Sequence, residues 1–212
     1  PCLGPLMEQV QAAFPLLRGM HPKAAGMPRY GGTYAGAYLL RRGLFLPREL
    51  PELMGPDMAR EGLRRLRPVQ HIAANLTPSS RPSPRTPYAK VATLESTLYM
   101  RNQLLRDTDW ASMAHSIEVR TPLVDATLLR QLARPLLSSG LTNNKQLLAA
   151  SPAVPLPEEV ANRAKSGFTT PVSGWQQRGD HTQGWRNIPS LAEPNCPWAR
   201  RWSYAVMHRV VG

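Results

Sequence analysis

The sequence predicts a mostly α-helical chain, and three observations predict it. Apolar residues recur at helical spacing, with Val91, Leu94, Leu98 and Leu105 on one stripe and Leu128, Leu129, Leu132 and Leu136 on another. Prolines, glycines and small polar residues stand where helices start and stop. No alternating apolar–polar run of useful length is bounded by hairpin signals, so no strand is assigned. The 212 residues are 42% hydrophobic, enough to bury a core and too apolar for wholesale disorder. The expectation is one helical domain over 1–212, either all-α or the helical part of a larger α/β enzyme.

Taken in order, residues 5–17 carry Leu6, Val10, Ala13 and Leu17 at helical spacing, with Pro15 as a kink or stop. Gly31-Gly32 predicts a turn and Thr33 an N-cap for a helix over 34–44. The pair Arg41-Arg42 at its end reads as complementing the helix dipole. Pro47 predicts the start of a helix over 48–54, which Gly55-Pro56 breaks. Asp57 is expected to cap a helix over 58–66, in which Glu61 and Arg65 lie at i,i+4. Residues 77–87, rich in Pro, Ser and Arg, read as a solvated surface loop. A long helix follows Pro87. After Pro122 an amphipathic helix spans 123–137, and a short one lies around 145–150. Residues 179–197 read as a polar loop before a final helix over 198–211. That helix is expected to turn Trp202, Ala205, Val206 and Val210 inward and Arg200, Arg201 and Arg209 outward.

Net charge is +12, from 26 Lys+Arg against 14 Asp+Glu. Such a balance fits an anionic partner or a composition biased toward arginine, and alone decides nothing. No apolar run is long enough to span a membrane. Cys2 and Cys196 make no disulfide framework, no Cys/His metal spacing is present, and the cytoplasm is the expected compartment. The chain opens at Pro1, which is read as a sign of a fragment.

Residues 99–125 organise the rest. They pack Arg101, Arg106, Asp107, Asp109, His115, Glu118, Arg120 and Asp125 among Leu104, Leu105, Trp110, Met113, Ile117 and Val119. A solvated face has no need of the apolar set, and a plain core has no need of the charges. The expectation is a charged network lying against a core, paired because buried charges must be. Helix is expected to cease near Pro122, since the residue before proline avoids the α region.

Within this run, Leu105-Arg106-Asp107, Asp109, Ser112-Met113-Ala114-His115-Ser116, Glu118, Arg120, Pro122 and Asp125 resemble a signature of the asparagine synthetase family. Further blocks follow in the family's order: Asn144-Lys145 with Leu147-Leu148, Leu156-Pro157 with Glu159, then Asn162-Arg163, Lys165, Gly167-Phe168 and Pro171. The resemblance is clear over 88–175 and looser upstream. Thr121 and Leu123-Val124 depart from the usual pattern and read as packing changes.

The resemblance implies the helical C-terminal portion of an α/β ATP-pyrophosphatase synthetase domain (adenine nucleotide α-hydrolase-like), with its central parallel sheet largely missing. Family enzymes release ammonia from glutamine in an N-terminal half. The C-terminal half activates aspartate with ATP and Mg²⁺ and amidates it. Neither the family's Ser-Gly-Gly-x-Asp-Ser phosphate loop, nor its Gly-x-x-x-Asp-Glu segment, nor its N-terminal cysteine nucleophile occurs here. The expected partner is therefore the missing N-terminal half of the same protein, and the chain alone is expected to be inactive, with little ATP affinity. The resemblance makes Lys165 the residue that reaches the pyrophosphate, and Asp107 and Asp109 either site residues or partners of Arg101, Arg106 or Arg120. Glu118 and Arg120 are read as an internal ion pair, His115 as a structural hydrogen-bonder, and no residue as a metal ligand. Two rival readings stand beside this one. The first is a freestanding basic helical module for nucleic acid or an acidic protein, which leaves the ordered blocks unexplained. The second is a divergent amidotransferase from a biosynthetic cluster.

Overall fold

The computed structural model describes residues 22–77, 83–138, 148–164, 171–178 and 180–211. The expected helix over 5–17, residues 78–82 of the Pro/Ser/Arg run, residues 142–147 and the loop of Lys165, Gly167 and Phe168 lie outside the described residues. Among those described there is no strand, and the elements are helical throughout.

Two short helices, α1 (Pro22–Ala25) and α2 (Met27–Tyr30), lead into α3 (Tyr34–Arg42). Thr33 starts α3 as expected, its hydroxyl accepting from Gly36 N at 3.0 Å. A 3₁₀ turn (Pro47–Glu49) precedes α4 (Leu50–Met54), and Gly55, at φ 82°, breaks the chain before α5 (Pro56–Leu66). The cap expected of Asp57 is not made. Pro56 opens α5, while Asp57 pairs with Arg60 at 2.7 Å. Glu61 meets Arg65 at 2.6 Å as expected, and Arg64 at 2.7 Å as well.

The sequence reading gave residues 67–77 no element, yet α6 (Pro68–Ala74) forms there with Pro68 at its first turn. Next come α7 (Pro87–Leu94), a π-helical segment (Glu95–Leu105) and α8 (Arg106–Met113) in unbroken succession. A 3₁₀ turn (Pro122–Val124) leads to α9 (Ala126–Ser138), then α10 (Glu158–Ala161) and α11 (Val172–Arg178). The expected polar loop over 179–197 instead holds a 3₁₀ segment (Asp180–Asn187) and α12 (Pro189–Ala192) before α13 (Trp198–Val211).

Two apolar clusters hold these elements. In the first, Ala35, Tyr38, Leu39 and Leu40 of α3 pack on Tyr30, Leu46, Ile72 and Leu94. In the second, Leu53, Trp185, Leu191 and Tyr204 meet, flanked by Phe45, Leu50, Ile188, Cys196 and Met207. Phe45 and Leu46 therefore point into different cores, and the link between the cores is polar. Glu49 accepts from Leu46 N at 2.7 Å and pairs with Arg200 of α13, both side chains being buried. The Arg200 guanidinium also lies 4.5 Å above the Phe45 ring.

This pair overturns part of the expected facing of α13, although Arg209 is exposed as expected. Arg200 and Tyr204 turn inward, while Trp202, Val206 and Val210 are exposed. A buried acid at position 49 recruits the arginine, and Tyr204 and Met207 one and two turns on fill the second core.

Candidate functional site

The family-like run enters on α8. Its first turn is not a helix start: Leu105 is already helical, at φ −69° and ψ −41°, and closes the π segment from which the chain arrives. Asp107 and Asp109 thus have no free N-terminal N–H groups to cap. Standing two residues apart, they project from different sides of α8. Asp109 shares its side with Arg106 and Met113, and Asp107 with Trp110 and Ala111. The Arg106 guanidinium covers the Trp110 ring at 4.1 Å.

α8 ends well before Pro122. Ile117 N bonds to Ser112 O and Ser116 N to Met113 O, each at 3.0 Å, with Ser116 left-handed at φ 55°. This is a Schellman stop built on serine where glycine is usual. A non-glycine residue held left-handed inside a functional block is a signal the sequence alone did not carry. The chain then continues without regular secondary structure through Arg120. Glu118 and Arg120, in that run, pair at 3.2 Å. Asp125 closes the stretch as the N-cap of α9, its Oδ1 accepting from Leu128 N at 2.8 Å.

The expected network against a core is not what the structure presents. Arg101, Arg106, Asp107, Asp109, His115, Glu118, Arg120 and Asp125 are all exposed. So are Trp110, Met113, Ile117, Val119 and Leu123, most of them more than half so. Glu118–Arg120 is consequently a surface pair worth little to stability. Arg101 bonds its neighbour Asn102 at 3.0 Å and, among the described residues, no acid. Among the described residues, the side chains of Asp107, Asp109 and His115 make no hydrogen bond or ion pair. Lys165 lies outside the described residues.

Sequence reasoning missed one polar cluster altogether. Arg42, read as a dipole complement, donates its Nε to Glu95 Oε1 at 3.0 Å, pairs its Nη2 with Oε2, and lies 3.6 Å above the Tyr99 ring. The hydrogen bond to Glu95 raises the Arg42 pKa. One turn back on α3, the Tyr38 hydroxyl is buried beside Arg42, Glu95 and Tyr99, and burial raises its pKa. The separation of 53 positions between Arg42 and Glu95 left no local pattern to read.

Among the described residues, no group of three or more His, Cys, Asp or Glu side chains could hold a metal ion. With the two aspartates diverging as well, the described residues do not by themselves fit ATP or Mg²⁺. A groove of about 510 Å³ runs along α13, lined by Gly184, Trp202, Tyr204, His208 and Arg209, none of which belongs to the family-like blocks. No helix among the described residues is long and apolar enough to cross a membrane.

Comparison with known proteins adds one positive finding. The asparagine synthase family model matches residues 10–190, which takes in every block quoted above. The chain belongs to the asparagine synthase family. At family level that makes it one of the ATP-dependent amide ligases. Neither the comparison with curated proteins nor that with solved structures returns a match.

Proposed function

We propose that the chain is the C-terminal helical part of an asparagine synthetase-like ligase. In full length, that ligase adenylates aspartate or a related carboxylate with ATP and Mg²⁺ and amidates it with glutamine-derived ammonia. The observation that carries the reading is the family match over 10–190, within which the acid–arginine run and the lysine block stand in order. The exposed belt supports the partner in this reading. Trp110, Met113, Ile117 and Leu123 stand in solvent among charges, as a face does when the polypeptide that covers it is elsewhere. That polypeptide is the N-terminal half of the same protein, which supplies the phosphate loop and the ammonia. The chain by itself is inactive and binds ATP weakly.

Lys165 is the residue assigned to the pyrophosphate. A compact ammonium on a flexible stem suits charge that builds between phosphates during adenylation. Because Asp107 and Asp109 diverge on α8, one of them at most contacts the reacting groups directly. The test uses the full-length protein. Lys165→Ala is expected to abolish ATP-dependent amidation while leaving glutamine hydrolysis intact, and unchanged amidation would remove the assignment. Calorimetry of ATP against this chain is expected to show weak binding or none; tight stoichiometric binding would overturn the claim that the phosphate loop is needed.

A further inference from the structure

Eleven consecutive residues, Glu95–Leu105, are π-helical between two α-helices. Most π-helix in proteins is a single-turn bulge, frequently at a functional site, so a stretch this long needs a cause. The apolar pattern does not supply one. Leu94, Leu98 and Leu105 fall at i, i+4 and i+11, which in an α-helix places them within about 40° of one another. In the π register Leu105 drifts away from that stripe. Leu94 is buried and Leu98 packs on the first core, while Leu105 is only half-buried and Leu104 is exposed. The side-chain pattern thus fits one helix type and the backbone adopts another.

Side chains stabilise both junctions. At the first, Ser96 Oγ and Thr97 Oγ1 both donate to Thr93 O, at 3.1 and 2.6 Å. Near the second, Thr108 Oγ1 donates to Leu104 O at 2.7 Å. Hydroxyls bonded back to helix carbonyls bend a helix and satisfy acceptors that a change of ladder disturbs. A third support comes from α3: Arg42, at its exposed end, bonds Glu95 with two nitrogens and lies over the Tyr99 ring. One arginine, anchored on α3, therefore holds two positions of the first π turn.

We propose that residues 95–105 form a two-register element. The Arg42 clamp on Glu95 and Tyr99 holds the π register, and releasing the clamp returns the segment to α. Each π turn takes about one residue more than an α turn, so eleven residues accumulate roughly half a turn of rotation between the registers. The switch turns α8 about its own axis by that amount. Asp107 and Asp109 project from different sides of α8, so the same turn exchanges which of them faces a given neighbour. This last consequence rests on the proposed function; the register change itself does not.

The experiment measures the register directly. In the full 212-residue chain with Cys2→Ser and Cys196→Ala, spin labels are placed at Gln70→Cys on α6 and Ala111→Cys on α8, both exposed positions. Electron–electron dipolar spectroscopy then gives the distance between them. Half a turn of a helix about 10–12 Å across moves the label by roughly 5–10 Å. Arg42→Met and Tyr99→Leu are each expected to add, or shift the population toward, a second distance displaced by that amount. Distances that stay put in both variants while circular dichroism reports intact helix would overturn the proposal. Should Arg42→Met lose its helical signal, Glu95→Gln decides in its place, since it weakens the clamp and keeps its shape. Amidation by the full-length enzyme is a separate readout, so failure of the ligase reading leaves this result standing.

Discussion

Arg200→Met tests the polar link between the two cores. It leaves the Glu49 carboxylate buried opposite a thioether, its remaining hydrogen bond coming from Leu46 N at 2.7 Å. Removing one partner of a buried pair costs about 3–5 kcal/mol, because the other charge stays buried without its main partner. Loss of the guanidinium over Phe45 adds to this, although Met refills most of the volume. At a urea slope of about 2 kcal/mol/M, the midpoint should fall by about 1.5–2.5 M. Trp185 is the reporter. It is buried in the second core, whereas Trp110, Trp175, Trp198 and Trp202 are exposed, so the change in its fluorescence follows that core. The double variant Glu49→Gln/Arg200→Met buries no charge and should recover at least 1 kcal/mol of what the single change loses. A midpoint for Arg200→Met within about 0.3 M of the parent, or a double variant no more stable than the single one, would refute the reasoning.

Four further outcomes follow from the same structure. Gly36→Ala should destabilise by about 1–3 kcal/mol in the same urea assay, because an added Cβ would sit 2.1 Å from the Tyr30 carbonyl oxygen on rigid backbone. Asp125→Ala should remove about 1 kcal/mol of helix capping and raise hydrogen exchange at the start of α9. Ser116→Gly relieves a left-handed serine and should stabilise the end of α8 by roughly 1 kcal/mol, read as slower exchange at the Ile117 amide. Burial pushes the Cys196 thiol up, so alkylation at neutral pH should be slow and should accelerate with pH, as mass spectrometry would show. The sign for stability follows. Its folded pKa exceeds the unfolded value of about 8.5, so its contribution is complete below that pH and is lost as pH rises through the folded value.

What the sequence made legible was local. Thr33 caps the helix that follows it, and Gly55 breaks between α4 and α5, because these signals act within four residues. The family-like blocks were legible for a different reason: their order and spacing survive whatever the tertiary packing does. The facing of α13 was not legible. Counting apolar residues favours Trp202, Val206 and Val210, but the face is decided by Glu49, 151 residues away from Arg200 in the chain. Residues 67–77 escaped because Pro68 follows Arg67, itself left-handed at φ 44°, and a proline there marks a helix start as readily as a break. The π segment has the composition of an α-helix, and its clamp comes from Arg42, 53 residues earlier.

The exposure of the acid–arginine run follows from what these residues are. Charges dispersed among Trp110, Met113, Ile117, Val119 and Leu123 cannot be drawn into a core by the helices described here, because only α8, the irregular segment after it and one 3₁₀ turn present them. Each of those large side chains is worth roughly 1.5–3 kcal/mol on burial. Together they favour a covering polypeptide strongly enough to offset the ordering of the charged side chains between them. Under the proposed function, that covering brings the phosphate loop against this face. It also sets the partners of Asp107, Asp109 and His115, which this part of the chain leaves unpaired among its described residues. Catalytic geometry is then a property of the joined halves. The scaffold described here contributes the azimuth of α8, and the covering half decides which of its faces does the work.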